Sequence, residues 1–341
     1  MSNLLVVAMF STDFRTIVKP QKSEKKIAVG SGVFFMGSCF AENIGSVMQQ
    51  SRFPVMINPH GVLYNPASLS QALESIVDNE RIDEEKLHFL NGHWHSFMHH
   101  GKFSHLDAYE VVHSINDATN QAHQFLQRCE FLVITFGTAF VYQHKELRKV
   151  VANCHKFPSE DFERYQLHAD EIVDLFKETL IRLRILNPTI EVILSVSPVR
   201  HLRDGAQGNQ LSKSTLLLGQ DKLVSLFDRV NYFPAYEIMM DDLRDYRFYD
   251  ASMLQPNEVA IDYIWRRFSE TYLDDSARSF YKQVQKVVRA RNHRPLGHEK
   301  VQHSLFLSKQ LEIISSLLHK YPESMLQEDK RWFEDQLDLY E

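Results

Sequence analysis

Ser38 lies in the segment Met36-Gly37-Ser38-Cys39-Phe40-Ala41, after the apolar run Val33–Met36 and before an amphipathic stretch running from about Ala41 to Gln50. The run reads as a strand and the stretch as a helix, so Ser38 falls in a strand-to-helix turn. There its hydroxyl and the amides of Cys39 and Phe40 lie at a helix N-terminus, where partial positive charge can stabilise an oxyanion while the hydroxyl attacks a carbonyl. A serine in this place also serves as a helix N-cap. Nucleophilic use needs a base, and His60, His100, His155 and His201 all fall in predicted loop segments with an intrinsic pKa suited to the task. The chain holds 17 histidines, most of which can only pack or face solvent. Arg200, beside His201, suits a carboxylate or phosphate on a ligand. The run His93, His95, His99, His100 and His105 raises a metal site, since His93 and His95 share one strand face and imidazole suits zinc or iron. No carboxylate recurs at ligand spacing there and no His-Glu-x-x-His occurs, so hydrogen-bonded loop histidines and no metal or other cofactor are expected.

The elements that must position these residues alternate strand and helix, the pattern of a parallel sheet covered on both faces. Val55–Ile57 reads as a second strand ending in Asn58-Pro59-His60-Gly61, with a helix from near Ala67. Phe131–Phe136 is apolar on both faces, as a central strand is, and stops at Gly137-Thr138. Val192–Val196 opens into Ser197-Pro198-Val199-Arg200-His201. Open α/β sheets bind ligands outside the carboxyl ends of their strands, so these loops should build the active face. An insertion spans roughly 80–127, and a hairpin is expected to pair Phe140–Tyr142 with Val150–Ala152. From about Ile261 the pattern turns helical, with Leu305, Leu311, Ile314, Leu317 and Leu318 at helix spacing. The expected division is an α/β domain over 1–270 and a helical extension over 271–341, a packing or oligomerisation appendage.

At 44% hydrophobic residues over 341 positions the chain can bury a full core. A formal charge of -6 offers no basic field for nucleic acid or an anionic membrane surface, which leaves a small molecule as the expected partner. Cys39, Cys129 and Cys154 cannot form an even disulfide framework and show no Cys-x-x-Cys spacing, which fits a reducing compartment. The apolar stretch Leu4–Phe10 has no basic residues before it and no small-x-small site after it, so a signal peptide is not expected. No run of about 18 apolar residues occurs. The expected location is the cytoplasm.

Gly37-Ser38-Cys39-Phe40-Ala41 resembles the motif that names the GSCFA family, a bacterial group similar to a branch of the SGNH hydrolase superfamily. Asn58-Pro59-His60-Gly61, His99-His100-Gly101, Phe136-Gly137-Thr138-Ala139-Phe140, Ala152-Asn153-Cys154-His155-Lys156, Ser197-Pro198-Val199-Arg200-His201 and Gly208-Asn209-Gln210-Leu211-Ser212-Lys213 resemble the same family in order, between about residues 30 and 268. The resemblance implies a three-layer α/β/α sandwich with a mostly parallel, flavodoxin-like sheet and an ester or O-acyl hydrolase with Ser38 as nucleophile. It implies oxyanion donors at Gly61 and in a Gly-x-Asn block, which falls on Gly137-Thr138-Ala139 without its asparagine. Asn153, across the expected hairpin, is then the candidate amide, together with Cys39. It also implies a C-terminal Asp-x-x-His, but the aligned stretch reads Ser252-Met253-Leu254-Gln255-Pro256. A glutamine amide cannot take a proton from serine, so Gln255 marks the place of a missing base. Either another histidine, His201 foremost, serves instead, or the pocket binds an acylated ligand without turnover. A metal-dependent enzyme built on the 93–105 histidines is a third alternative.

Overall fold

The structure is a computed structural model and describes residues 15–292 and 300–339; the stretch Leu4–Phe10 lies outside them. In chain order the elements are β1 (Val33–Gly37), α1 (Cys39–Gln50), β2 (Val55–Ile57), α2 (Pro66–Val77), β3 (His88–Leu90), β4 (His93–His95) and α3 (Ala108–Leu126). There follow β5 (Phe131–Phe136), β6 (Phe140–His144), β7 (Lys149–Val151), β8 (Phe162–Gln166), α4 (Ala169–Leu186), β9 (Glu191–Val196), α5 (Gly205–Leu226) and β10 (Val230–Tyr232). The chain closes with α6 (Ala235–Glu237), α7 (Glu258–Tyr272), α8 (Asp275–Arg291), α9 (Lys300–Lys320) and α10 (Gln327–Asp338).

The central sheet has five strands in the order β10-β9-β5-β1-β2, all parallel. Counted among themselves the strands run 2-1-3-4-5, the flavodoxin-like order, with the switch point beside the first strand. Successive side chains point to opposite faces. Val33, Phe35, Phe131, Val133 and Ile193 therefore pack with α1, α7 and α8 on one side. Phe34, Met36, Leu132, Ile134, Val192 and Leu194 pack with α2, α4, α5 and the C-terminal half of α3 on the other. The result is a three-layer α/β/α sandwich. Helices α2 and α7 start on asparagine side-chain caps: Asn65 Oδ1 accepts from Ser68 N at 2.8 Å, with Pro66 at the first helical position, and Asn257 Oδ1 accepts from Ala260 N at 3.1 Å. Each such cap is worth about 1 kcal/mol.

Of the stretch expected as an insertion, the part before α3 forms the β3–β4 hairpin and a loop bridged Trp94 to His105. Helix α3 is a crossover helix, with Ala122 and Leu126 in the main core. The expected hairpin after β5 is present and gains a third strand, in the order β7-β6-β8. The C-terminal helices share the core of α1 and α7. Phe280 meets Phe53 edge-on at 5.5 Å and Tyr321 at 5.1 Å. The buried carboxylate of Asp329 pairs with both Arg52 and Arg291. Among the described residues no helix is long and apolar enough to cross a membrane.

Candidate active site

Ser38 caps α1 at the carboxyl end of β1. Its Oγ accepts from Phe40 N at 3.3 Å, at the long end for such a bond, and the residue is buried. The backbone beneath it is tightly determined. Gly37 sits at φ +137°, and a Cβ there would stand 2.2 Å from the Thr135 carbonyl oxygen, so only glycine lets β1 and β5 close at this point. Ser38 N donates to Thr135 O at 3.2 Å, and Gly37 N donates to Asn58 Oδ1 at 2.9 Å. That second bond orients the Asn58 carboxamide, because an amide N–H needs an oxygen opposite it. Asn58 Nδ2 is then left buried with no partner. The residue is 4% exposed, and a buried donor without an acceptor costs about 1–3 kcal/mol unless something else fills it.

Two of the expected donors, the amides of Gly61 and Gly137, are otherwise engaged. Gly61 N donates to Asn58 O at 2.8 Å, and Gly61 sits at φ +86° packed against His100, where a Cβ would lie 2.1 Å from His100 Cβ. Gly137 N donates to Tyr64 O at 2.7 Å. Asn153 Oδ1 caps its own loop, accepting from His155 N at 2.9 Å. The signal that could have singled out Asn58 is its place at the end of β2, beside the switch point. Cys39 opens α1, where first-turn amides have no intrahelical acceptor; its Sγ contacts Tyr64 Oη at 3.5 Å.

The histidines divide by partner. His60 Nε2 lies 2.8 Å from Thr119 Oγ1, whose one hydrogen goes to Ile115 O, so the imidazole is the donor. Burial, with Lys102 nearby, lowers its pKa to about 4. His155 Nε2 donates to Ser96 O at 2.7 Å, and burial lowers its pKa. His100 Nδ1 accepts from Lys102 N at 3.1 Å. His99 bonds Ser96 at 2.7 Å, His95 bonds Ser104 at 2.7 Å, and His105 accepts from Asp107 N at 3.1 Å. The 93–105 run is thus a hydrogen-bonded loop. Among the described residues no three His, Cys, Asp or Glu side chains are grouped to hold a metal. A cavity of 620 Å³ behind this loop, lined by His60, Gln71, Phe97 and His99 among others, does not include Ser38.

His201 stands apart. Its backbone N–H is held by Asn209 Oδ1 at 2.9 Å, its ring meets Tyr64 edge-on at 5.9 Å, and its Nε2 is buried without a partner. Burial and then Lys213 lower its pKa to about 4, against an opposing pull from Asp204. Among the described residues no histidine nitrogen hydrogen-bonds Ser38 Oγ. Gln255 is exposed, in a turn where Asp250 N donates to Gln255 O and Ser252 N to Asp250 Oδ1. The same turn is tied to the site by Arg200 N donating to Leu254 O at 2.9 Å.

Sequence reasoning gave no role to α5 residues that organise the loops. Ser212 Oγ accepts from Ala139 N at 2.8 Å, and Lys213 Nζ, fully buried, donates to Gly137 O and Ser197 O at 2.7 Å each. One lysine thereby ties together the ends of β5 and β9. Burial, reinforced by Arg200, brings its pKa down to about 7.

The model of the GSCFA family matches residues 32–268, and that of the GSCFA domain protein, C-terminal domain, matches 284–339. This chain belongs to the GSCFA family. No curated protein matches it. Among solved structures, this GSCFA protein is similar to a carbohydrate esterase family 3 protein from Talaromyces cellulolyticus, at 8% identity and a TM-score of 0.35, over 75% of this chain and 99% of that one. Likeness at that level says nothing of the chemistry.

Proposed function

We propose that this GSCFA protein is an SGNH-type serine hydrolase acting on an ester or O-acyl bond, with Ser38 as nucleophile. The observation that carries the reading is the position of Ser38 at the switch point of the sheet, on a glycine turn that no other residue fits, with an orphaned amide donor one residue contact away. In the reaction Ser38 Oγ attacks the acyl carbon, its proton passes to a base and then to the leaving oxygen, and water hydrolyses the acyl-enzyme. The developing oxyanion is met by Asn58 Nδ2, in place of Asn153, and by the Cys39 amide. His201 is the base, since its Nε2 is free of any protein partner. The cytoplasm and a small acylated molecule remain the proposed location and substrate.

A second reading, binding without turnover, is favoured by Ser38 Oγ accepting from Phe40 N instead of donating to a base and by the surface position of Gln255. Hydrolysis of 4-nitrophenyl acetate separates the two. Activity that Ser38→Ala abolishes and His201→Ala lowers by about 10²–10⁴-fold supports the hydrolase. An inert wild type that gains activity in the double variant Ser252→Asp, Gln255→His supports binding without turnover.

A further inference from the structure

The junction of β9 and α5 gathers positive charge without a carboxylate to answer it. Arg200 is half-buried, and its guanidinium contacts the thioether of Met240 at 3.3 Å; among the described residues it forms no ion pair. Lys213 is buried near enough for the Arg200 charge to act on it. The acidic residues around the junction are spent elsewhere: Asp204 on Arg164, Asp241 on Arg244, Asp242 on Arg15 and Tyr263, Glu237 on Tyr232. Asn209, 2% exposed on the same face of α5 as Lys213, uses Oδ1 for His201 N and leaves Nδ2 buried without a partner. A half-buried guanidinium beside a buried lysine, with no carboxylate paired to either, favours a bound anion. The planar fork of Arg matches a carboxylate or phosphate bidentately.

We propose that the ligand of this site carries an anionic oxygen group, a carboxylate or a phosphate, which docks on Arg200 with Asn209 Nδ2 as a further donor. Its being a substrate rests on the hydrolase reading; its binding does not. The proposal also answers a difficulty in that reading. His201 has Lys213 on α5 and Arg200 next to it in sequence, Tyr64 against its ring, and only the already paired Asp204 pulling the other way. An anion on Arg200 opposes the pull of Lys213, so His201 holds a proton more readily when ligand is bound. The ligand then supplies the negative charge that the missing acidic partner would have brought.

Two measurements test this. Titration calorimetry of the full chain with inorganic phosphate, and separately with succinate, reads binding without turnover and distinguishes the two anions. Binding of either that weakens by about tenfold or more in Arg200→Gln, and recovers in part in Arg200→Lys, is expected, a charge-assisted hydrogen bond being worth about that much. Failure of both anions to bind the wild type, or equal binding by the folded Arg200→Gln variant, overturns the proposal. Second, kcat/KM is compared for 4-nitrophenyl acetate and 4-nitrophenyl hydrogen succinate, with the charged-to-neutral ratio expected to fall about tenfold in Arg200→Gln. A wild type that hydrolyses both esters with no preference and binds neither anion overturns the anion site and leaves Ser38 in place. Anion binding through Arg200 with no hydrolysis of any ester sinks the hydrolase reading and sustains the anion site.

Discussion

Replacing Lys213 by Met should change how stability depends on pH. The wild-type ammonium is fully buried and donates to Gly137 O and Ser197 O; as a neutral amine it keeps two N–H groups, enough for those two carbonyls. Burial and Arg200 bring its pKa from the ordinary 10.5 to about 7. Because the folded pKa is depressed, the unfolded chain binds a proton between those values that the folded chain does not. The contribution to stability is therefore fully present above pH 10.5 and is lost as pH falls to about 7. Its whole span is about 5 kcal/mol, or about 1.4 kcal/mol per pH unit inside the window. Lys213→Met has no such group, and it also orphans two buried carbonyls at about 1–3 kcal/mol each, a loss that does not vary with pH. Urea unfolding in buffers free of phosphate and carboxylates should show the gap between wild type and variant widening by about 2–3 kcal/mol from about pH 7.5 to 9.5. Background titrations, including Cys129 pushed up to about 12 by burial, are common to both proteins and cancel in the difference. Parallel pH profiles would refute the reasoning.

Asn58→Asp keeps an acceptor for Gly37 N and removes the Nδ2 donor; kcat for ester hydrolysis should drop about 10²–10³-fold with KM little changed, and a drop of less than about threefold counts against Asn58 as an oxyanion donor. Asp329→Asn should destabilise the fold by about 3–5 kcal/mol in denaturant unfolding, because Arg52 and Arg291 lose their shared carboxylate. Burial alone would raise the Asp329 pKa, but the two arginines outweigh it and hold it low. Its contribution is thus present above the ordinary carboxylate pKa and is lost as pH falls below it, so the cost of Asp329→Asn should shrink in acid.

The strands and their turns are legible in the chain because their signals are local. Phe131–Phe136 is apolar on both faces and buried throughout, and Val55–Ile57 is a strand at the bounds its sequence suggests. Ser38 follows from the same logic, since a strand, a glycine and an amphipathic helix leave one place for it. The C-terminal helices were legible as helices, but their sharing of a core with α1 and α7 depends on contacts such as Phe53 with Phe280, more than two hundred residues apart. The hydrogen-bond partners of the loops were not legible at all. Gly61 and Gly137 look like free donors in the sequence, and only the packed structure commits their amides to Asn58 and Tyr64. The same packing leaves Asn58 Nδ2, Asn209 Nδ2 and His201 Nε2 without partners. Spacing along a chain specifies which way a side chain points on its own element, whereas a free donor, or a cation without a counter-charge, is a property of every element closing around it. Composition and periodicity therefore determined the layers and the place of the serine. Tertiary packing alone decided which amides stay available to a ligand and where positive charge is left unanswered.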